Sequence, residues 1–264
     1  MFKIGDLVTR KKYGNDIIFK IDKIQNNTIY LKGVDVRLYA DTKEDDLILA
    51  TIPKKKEIIN TIRTLKTDEY FYIPGTILHL DGDNEYLEKC MEFYKKQKIK
   101  CFGYTFKESE FKDNVKKLLI KHNPSILVIT GHDAHYQKRK NNESYKNSKY
   151  YIETVLEARK YKNNHKDLVI IAGACQSDYE SLIKAQATFA SSPKTINIHA
   201  LDPAIIASTI ALTDKTEVID IEKTLAKTKY GSEGMGGIII NGMMNTGYPR
   251  KDINWILKKL KMIY

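Results

Sequence analysis

Two unbroken apolar runs constrain this chain more than anything else in it. Ile126-Leu127-Val128-Ile129-Thr130 and Leu168-Val169-Ile170-Ile171-Ala172 show no in-and-out alternation. Each ends at a glycine followed by reactive side chains, Gly131-His132-Asp133 in the first case and Gly173-Ala174-Cys175 in the second. Strands that are apolar on both faces belong in a parallel sheet covered on both sides by helices. The flanking sequence agrees with that architecture. Thr76 to Leu80 is an apolar run ending in Asp81-Gly82-Asp83, and Glu85 to Lys96 has helical spacing with Leu87, Met91 and Tyr94 on one face. A strand over Ile99 to Phe106 and helices over Phe111 to Lys121, Tyr150 to Lys160 and Ser177 to Ala187 are expected, with a further strand over Ile196 to Leu201. Tyr230 to Gly247 holds six glycines and reads as a mobile loop around a strand at Ile238 to Ile240. The fold class is α/β, a mostly parallel sheet flanked by helices.

Residues 1–50 obey a different rule. Short β-rich segments at Leu7 to Thr9, Ile17 to Ile21, Thr28 to Leu31 and Val36 to Tyr39 are separated by turn residues such as Tyr13-Gly14-Asn15-Asp16 and Gln25-Asn26-Asn27. This spacing predicts a small SH3-like β-barrel. Residues 51–75, rich in Lys and Thr with Pro53 and Pro74, read as a linker with a helical middle, leaving 76–264 for the α/β domain.

Composition narrows the function classes. The net charge of +11 favours acidic partners. The basic residues are scattered, however, and read as a solvated face, so nucleic acid is not the expected partner. No apolar run reaches the roughly 18 residues that would span a bilayer, and Met1 to Lys12 has no secretory apolar core. A soluble chain made in the cytosol, with no membrane partner, is expected. The three cysteines, Cys90, Cys101 and Cys175, form no C-x-x-C pair. Neither a disulfide framework nor a metal site is indicated, Asp81 to Asp83 being too short for a calcium loop, and no cofactor is expected.

Open α/β sheets place their chemistry just beyond the carboxyl ends of the strands. His132 and Cys175 both stand there. If their strands are neighbours, the strand ends lie about 5 Å apart, and an imidazole could accept the thiol proton or stabilise a thiolate. Cys90, on the inward face of a helix, and Cys101, in a strand, read as core. His135 reads as an exposed member of the His132 loop, and His199 as a strand residue that could be core.

Several motifs then converge on a known pattern. Caspase-like peptidases of the caspase–hemoglobinase group carry a His after one hydrophobic strand and an Ala-Cys after the next, with the His about 50 residues upstream in caspases. Leu80-Asp81-Gly82-Asp83, Ile129 to Ala134, Ala172 to Ser177, Phe189-Ala190-Ser191-Ser192-Pro193, Asn197 to Pro203 and the opening Ile4 to Val8 together resemble the YabG family of sporulation-specific proteases over nearly the whole chain. The resemblance implies a caspase-like fold and a cysteine endopeptidase of endospore-forming bacteria. Its substrates would be spore coat and other spore proteins, met in the mother cell or on the coat. His132 and Cys175 would be catalytic. Caspase-like enzymes have Gly after the His, where this chain has Asp133, so the oxyanion donors are expected to be the backbone amides of Asp133 and Cys175. The loop after the first sheet strand lines the specificity pocket in such folds. It holds Asp81 and Asp83 here, which implies a preference for Arg or Lys before the cleaved bond, although Asp83 would equally serve as a helix cap. Ser191 and Ser192 are candidates for substrate hydrogen bonds or for a turn.

Two other readings compete. A cysteine α/β-hydrolase would place its His after the nucleophile, at His199, but the elbow glycine is replaced by Ser177. A scaffold for nucleic acid or assembly would use the basic barrel alone and release with salt. Oligomeric state is not legible.

Overall fold

The computed structural model describes residues 2–51, 70–136 and 145–248. Five antiparallel strands come first: β1 (Leu7–Arg10), β2 (Phe19–Gln25), β3 (Thr28–Gly33), β4 (Tyr39–Thr42) and β5 (Leu47–Leu49), in the order β4-β3-β2-β1-β5. Asn26 and Asn27, both at positive φ, make the tight turn that joins β2 to β3. The inward residues Val8, Phe19, Ile21, Ile29, Leu31 and Leu47 form a core of their own. One expectation fails informatively. Val36 to Leu38 is not part of a strand, and β4 begins only at Tyr39. Gly33 ends β3 with the Val36 carbonyl packed where a Cβ would stand, so the chain doubles back and sends Val36 and Arg37 out of this sheet.

The second sheet has six strands: β7 (Ile77–Asp81), β8 (Cys101–Thr105), β9 (Ile126–Thr130), β10 (Val169–Ala172), β11 (Phe189–Ser191) and β12 (Met235–Gly237), preceded in the chain by β6 (Phe71–Ile73). Their order is β12-β11-β10-β9-β7-β8, parallel except for β12, which runs antiparallel to β11. Every residue of β7, β9, β10 and β11 is buried, as the unbroken apolar runs require. Helices α1 (Asn84–Lys96) and α5 (Asp202–Ala211) cover one face through Cys90, Tyr94, Ala204 and Ile210. Helices α2 (Phe111–His122), α3 (Ser148–Tyr161) and α4 (Tyr179–Lys184) cover the other through Phe111, Val115, Tyr151 and Leu182. A short α6 (Ile221–Leu225) follows.

The later part of the chain departs from expectation in three places. Ile196 to Leu201 is a loop, because Asp202-Pro203 starts α5 immediately behind it. Helix α4 is shorter than predicted and ends before Gln186, which takes a left-handed conformation. Within the glycine-rich stretch, the ordered strands are β12 and β13 (Asn245–Gly247), the latter paired with β6, whereas Ile238 to Ile240 is not a strand. Gly237 lies against the Phe189 ring and the Thr188 carbonyl where a Cβ would stand, which explains a glycine in β12. The predicted linker falls mostly on 52–69, outside the described residues. Among the described residues, no helix is long and apolar enough to cross a membrane.

Candidate active site

The strand order reverses between β7 and β9, and the residues singled out in the sequence gather at the carboxyl end of this switch point. Strands β9 and β10 are hydrogen-bonded neighbours with Ile129 beside Ala172, so the loops bearing His132 and Cys175 start side by side.

His132 is held on every side. Its backbone N–H donates to Glu108 Oε1 at 2.9 Å, and its carbonyl accepts from Asn147 Nδ2 at 2.7 Å and Tyr151 Oη at 2.9 Å. Gly82 and Gly131 leave the space into which Glu108 reaches. The imidazole lies with Nε2 3.1 Å from Asp83 Oδ2 and Nδ1 3.3 Å from the Arg37 carbonyl. Both partners are acceptors, so each contact is a hydrogen bond only when the ring nitrogen facing it carries the proton. Tyr39 packs on the ring at 4.6 Å between centroids.

Cys175 is wholly buried. Its Sγ accepts from the Ile198 N–H at 3.3 Å and faces the Ile198 carbonyl at 3.6 Å. Burial pushes the thiol up to about 11, a shift that hydrogen bonds from the backbones of Ile198 and Arg37 partly offset. His132 and Cys175 therefore make no direct hydrogen bond to each other. The imidazole lies against the Arg37 carbonyl, and the sulfur against the backbone of Ile198.

Asp133 is buried and ties the two loops together. Its carboxylate accepts from the Ala134 and Asn147 amides at 2.9 and 2.7 Å, from Ser148 Oγ, and from Ser177 Oγ at 3.1 Å. Burial holds it above the usual carboxylate range despite these donors. Ser177 in turn accepts from the Ala174 amide at 2.8 Å. An Asp after the His thus has a structural use that a Gly could not supply. The backbone N–H groups of Asp133 and Cys175 are bound to no other backbone group among the described residues.

Asp81 ends β7 wholly buried and faces the Arg37 guanidinium. Arg37 Nη1 lies 2.7 Å from Oδ1 and 2.6 Å from Oδ2, and Nη2 is 3.4 Å from the Ala200 carbonyl and 3.8 Å from Cys90 Sγ. The guanidinium also lies 4.9 Å over the Tyr86 ring. Burial opposes the Arg37 charge, but the Asp81 carboxylate outweighs it and holds the group above its ordinary range. Behind Asp81 runs a chain the sequence reading missed. Thr130 Oγ1 donates to Asp81 Oδ2 at 2.8 Å, His79 Nε2 meets Thr130 Oγ1 at 2.7 Å, and His79 Nδ1 meets Tyr94 Oη at 3.0 Å. Because a carboxylate only accepts, the direction of the chain is fixed. Thr130 gives its proton to Asp81, His79 donates through Nε2, and Tyr94 donates to Nδ1. Burial lowers His79 to about 4, so the ring is neutral.

Asp83 fills the cap role and more. Oδ1 accepts from the amides of Glu85 and Tyr86, closing the first turn of α1. Oδ2 takes His132 Nε2 and, at 2.6 Å, Lys32 Nζ from β3. Burial would raise this carboxyl, but His132 and Lys32 hold it well below the usual range. Ser191 and Ser192 are both buried. The Ser192 hydroxyl accepts from the Gln176 amide at 3.0 Å and reaches the Ala174 and Ile196 carbonyls at 3.1 and 2.7 Å, which fixes the Cys175 loop. The Ser191 hydroxyl has no hydrogen-bond partner. Cys90 is buried as expected, whereas Cys101 is only partly so. His135 is half-buried, its amide donating to Gln176 Oε1 at 3.2 Å. His199 is not in a strand; its Nδ1 accepts from the Leu201 amide at 3.1 Å. Among the described residues no cluster of three or more His, Cys, Asp or Glu side chains is placed to hold a metal ion.

The sequence alone had no signal for Arg37, Lys32, His79 or Glu108. All four act through contacts between segments distant in the chain.

Comparison with known proteins identifies the family of the chain. The family model described as YabG peptidase U57 matches residues 3–64 and 53–249. A curated relative, the sporulation-specific protease YabG of Bacillus subtilis (strain 168), is 39% identical over 287 aligned positions, covering 95% of this chain and 99% of the relative. With both matches spanning the antiparallel sheet and the parallel sheet together, this chain belongs to the YabG peptidase family.

Proposed function

We propose that this peptidase is a cysteine endopeptidase of sporulation, with Cys175 as nucleophile and His132 as its acid–base partner. The observation that carries the reading is that both groups stand in loops leaving the carboxyl ends of the adjacent parallel strands β9 and β10, with His132 Nδ1 on the carbonyl of Arg37. With a substrate peptide in that position, the Cys175 proton passes to the imidazole and the sulfur attacks the carbonyl carbon. The amides of Asp133 and Cys175 stabilise the oxyanion. As the tetrahedral intermediate collapses, His132 protonates the leaving amine, and water then hydrolyses the thioester with His132 as base. Asp83, bonded to Nε2, fixes the ring so that Nδ1 faces the reaction, much as a carboxylate orients a catalytic histidine elsewhere.

Asp81 at the floor of the pocket favours Arg or Lys before the cleaved bond, Arg above all, since a planar guanidinium can meet the carboxylate, the Ala200 carbonyl and the Tyr86 face at once. Ser192 serves this reading by holding the nucleophile loop. The parallel order with one antiparallel strand at the far edge supports a caspase-like fold, and the small five-stranded antiparallel sheet supports an SH3-like module. The likeness to the sporulation-specific protease of Bacillus subtilis supports a role in sporulation. Protein substrates of the spore coat and its assembly, processed in the mother cell or on the coat, complete the proposal.

The test is turnover of peptide reporters with Arg, Lys or Leu before the scissile bond. Cys175→Ala and His132→Ala should each lower turnover of the Arg reporter by at least about 1,000-fold with the fold intact. Undiminished cleavage by folded Cys175→Ala sinks the mechanism, and a Leu reporter cleaved as well as Arg sinks the assignment of Asp81.

A further inference from the structure

The pocket assigned to a substrate arginine is already filled by one of the chain's own. Resting on the reading above, we propose that the loop from Gly33 to Leu38 is an internal pseudosubstrate, which must withdraw before another protein can be cut.

The loop lies as a bound peptide would. Val36 forms an antiparallel bridge with His199, and the Ala200 amide donates to the Asp35 carbonyl at 3.0 Å, so the loop adds to the cleft as a short extra strand. Strand addition of this kind is a general way of holding an extended peptide through its backbone. The next side chain, Arg37, then enters the pocket and meets Asp81, the Ala200 carbonyl and the Tyr86 face. The single Tyr86 hydroxyl proton lies between the carbonyls of Gly33 and Val36, and Lys89 Nζ donates to the Val34 carbonyl at 2.9 Å, clamping the loop from α1.

Its register is inhibitory. The Arg37 carbonyl oxygen points at His132 Nδ1 instead of at the Asp133 and Cys175 amides, and Cys175 Sγ is engaged by Ile198. The nitrogen that must take the thiol proton is thus covered by the loop, and the sulfur is buried beneath it. The fit is also incomplete, because the buried Arg37 Nε has no hydrogen-bond partner among the described residues. A substrate arginine that satisfies this donor would have an advantage over the resident one.

The experiment compares full-length wild type with Arg37→Gln and Tyr86→Phe. The first empties the pocket. The second keeps Arg37 and Asp81 but removes the phenol that clamps the loop. Turnover of the Arg reporter is measured beside the rate at which a thiol alkylator modifies Cys175, mapped by mass spectrometry. Arg37→Gln should raise both rates about tenfold or more, and Tyr86→Phe several-fold. If folded Arg37→Gln is no faster than wild type in either measurement, Arg37 is a fixed strut between the two sheets and the inference fails. Should Arg37→Gln not fold, Tyr86→Phe decides by the same criterion. Adding Cys175→Ala to the faster variant separates the two claims. Loss of the gained activity upholds the cysteine mechanism, whereas unchanged activity overturns that mechanism and the inference with it.

Discussion

Two arginines are buried at opposite edges of the same parallel sheet, and they are buried in different ways. Arg159, on α3, serves the amino edge. Its Nε donates to the Gln186 carbonyl at 2.9 Å, Nη1 to the Leu168 carbonyl at 2.8 Å, and Nη2 to Thr188 Oγ1 at 3.1 Å, all just ahead of β10 and β11. Among the described residues it has no carboxylate partner, and burial lowers it to about 10. Arg37, at the carboxyl edge, comes from the loop between β3 and β4, faces a carboxylate and leaves Nε without a partner among the described residues. An arginine built into a fold uses its donors on carbonyls that would otherwise be unpaired. An arginine that meets one charge and misses a hydrogen bond has the contacts of a ligand. The amino edge is scaffold, and the carboxyl edge is a site with an occupant.

The comparison breaks most visibly at Arg159. Replacing it with Met takes the guanidinium donor from the buried Leu168 carbonyl and the Thr188 hydroxyl, and the expected loss is about 3 kcal/mol. Urea unfolding followed by circular dichroism measures it, and activity should fall only as the folded fraction falls. A loss under about 1 kcal/mol would mean that the amino edge is not the scaffold described. The next effect belongs to the carboxyl edge and is chemical. Asp83→Asn keeps a good helix cap but no longer offers His132 Nε2 a charged acceptor. Turnover should drop about a hundredfold, equivalent to about 2.7 kcal/mol in the barrier, with KM and thermal stability little changed. A matching rise in KM, or a melting point that falls in step, would make Asp83 a structural cap only.

The two edges also differ in how far the sequence revealed them. The apolar runs Ile126 to Thr130 and Leu168 to Ala172 dictated buried parallel strands, and strand-end logic then put His132 and Cys175 in loops that start from neighbouring strands. Both are local signals, a few consecutive residues whose pattern has one sensible reading. Asp81 and Asp83 were visible because they follow the first strand of that sheet. The occupant was not. Val36-Arg37-Leu38-Tyr39 is as β-prone as any of its neighbours, and only the close approach of Val36 to Gly33 turns it away from its own sheet. His79 was equally hidden inside an apolar run, where its partners Tyr94 and Thr130 lie 15 and 51 positions away. The loop at Ile196 to Leu201 reads as a strand because its residues alternate, yet its partner is a single residue of the pseudosubstrate loop.

His79 gives the smallest effect and the sharpest contrast between the edges. Its folded value of about 4 lies below the ordinary 6.5, because burial opposes the charge and the neighbouring Arg37 adds to that opposition, with Asp81 only partly compensating. As pH falls below about 6.5, the unfolded chain takes up a proton on this imidazole while the folded chain does not. Stability from this group is therefore complete above 6.5 and is lost as pH drops toward 4. Over the 1.5 units from pH 6.5 to 5, the loss is about 2 kcal/mol. His79→Gln has no titrating ring and should lack that part of the acid destabilisation, seen as a smaller fall in urea midpoint between pH 7 and 5 than in wild type. At the amino edge, His165 beside Arg159 is also shifted down, by burial and by the Arg159 charge, but it is only half-buried. Its replacement should change the acid response less. Equal responses from His79→Gln and His165→Gln would mean that the protons of the Tyr94–His79–Thr130–Asp81 chain are not fixed as drawn. The neutral ring would then no longer be what holds the Thr130 hydroxyl toward Asp81, and the pocket would have lost its fixed floor.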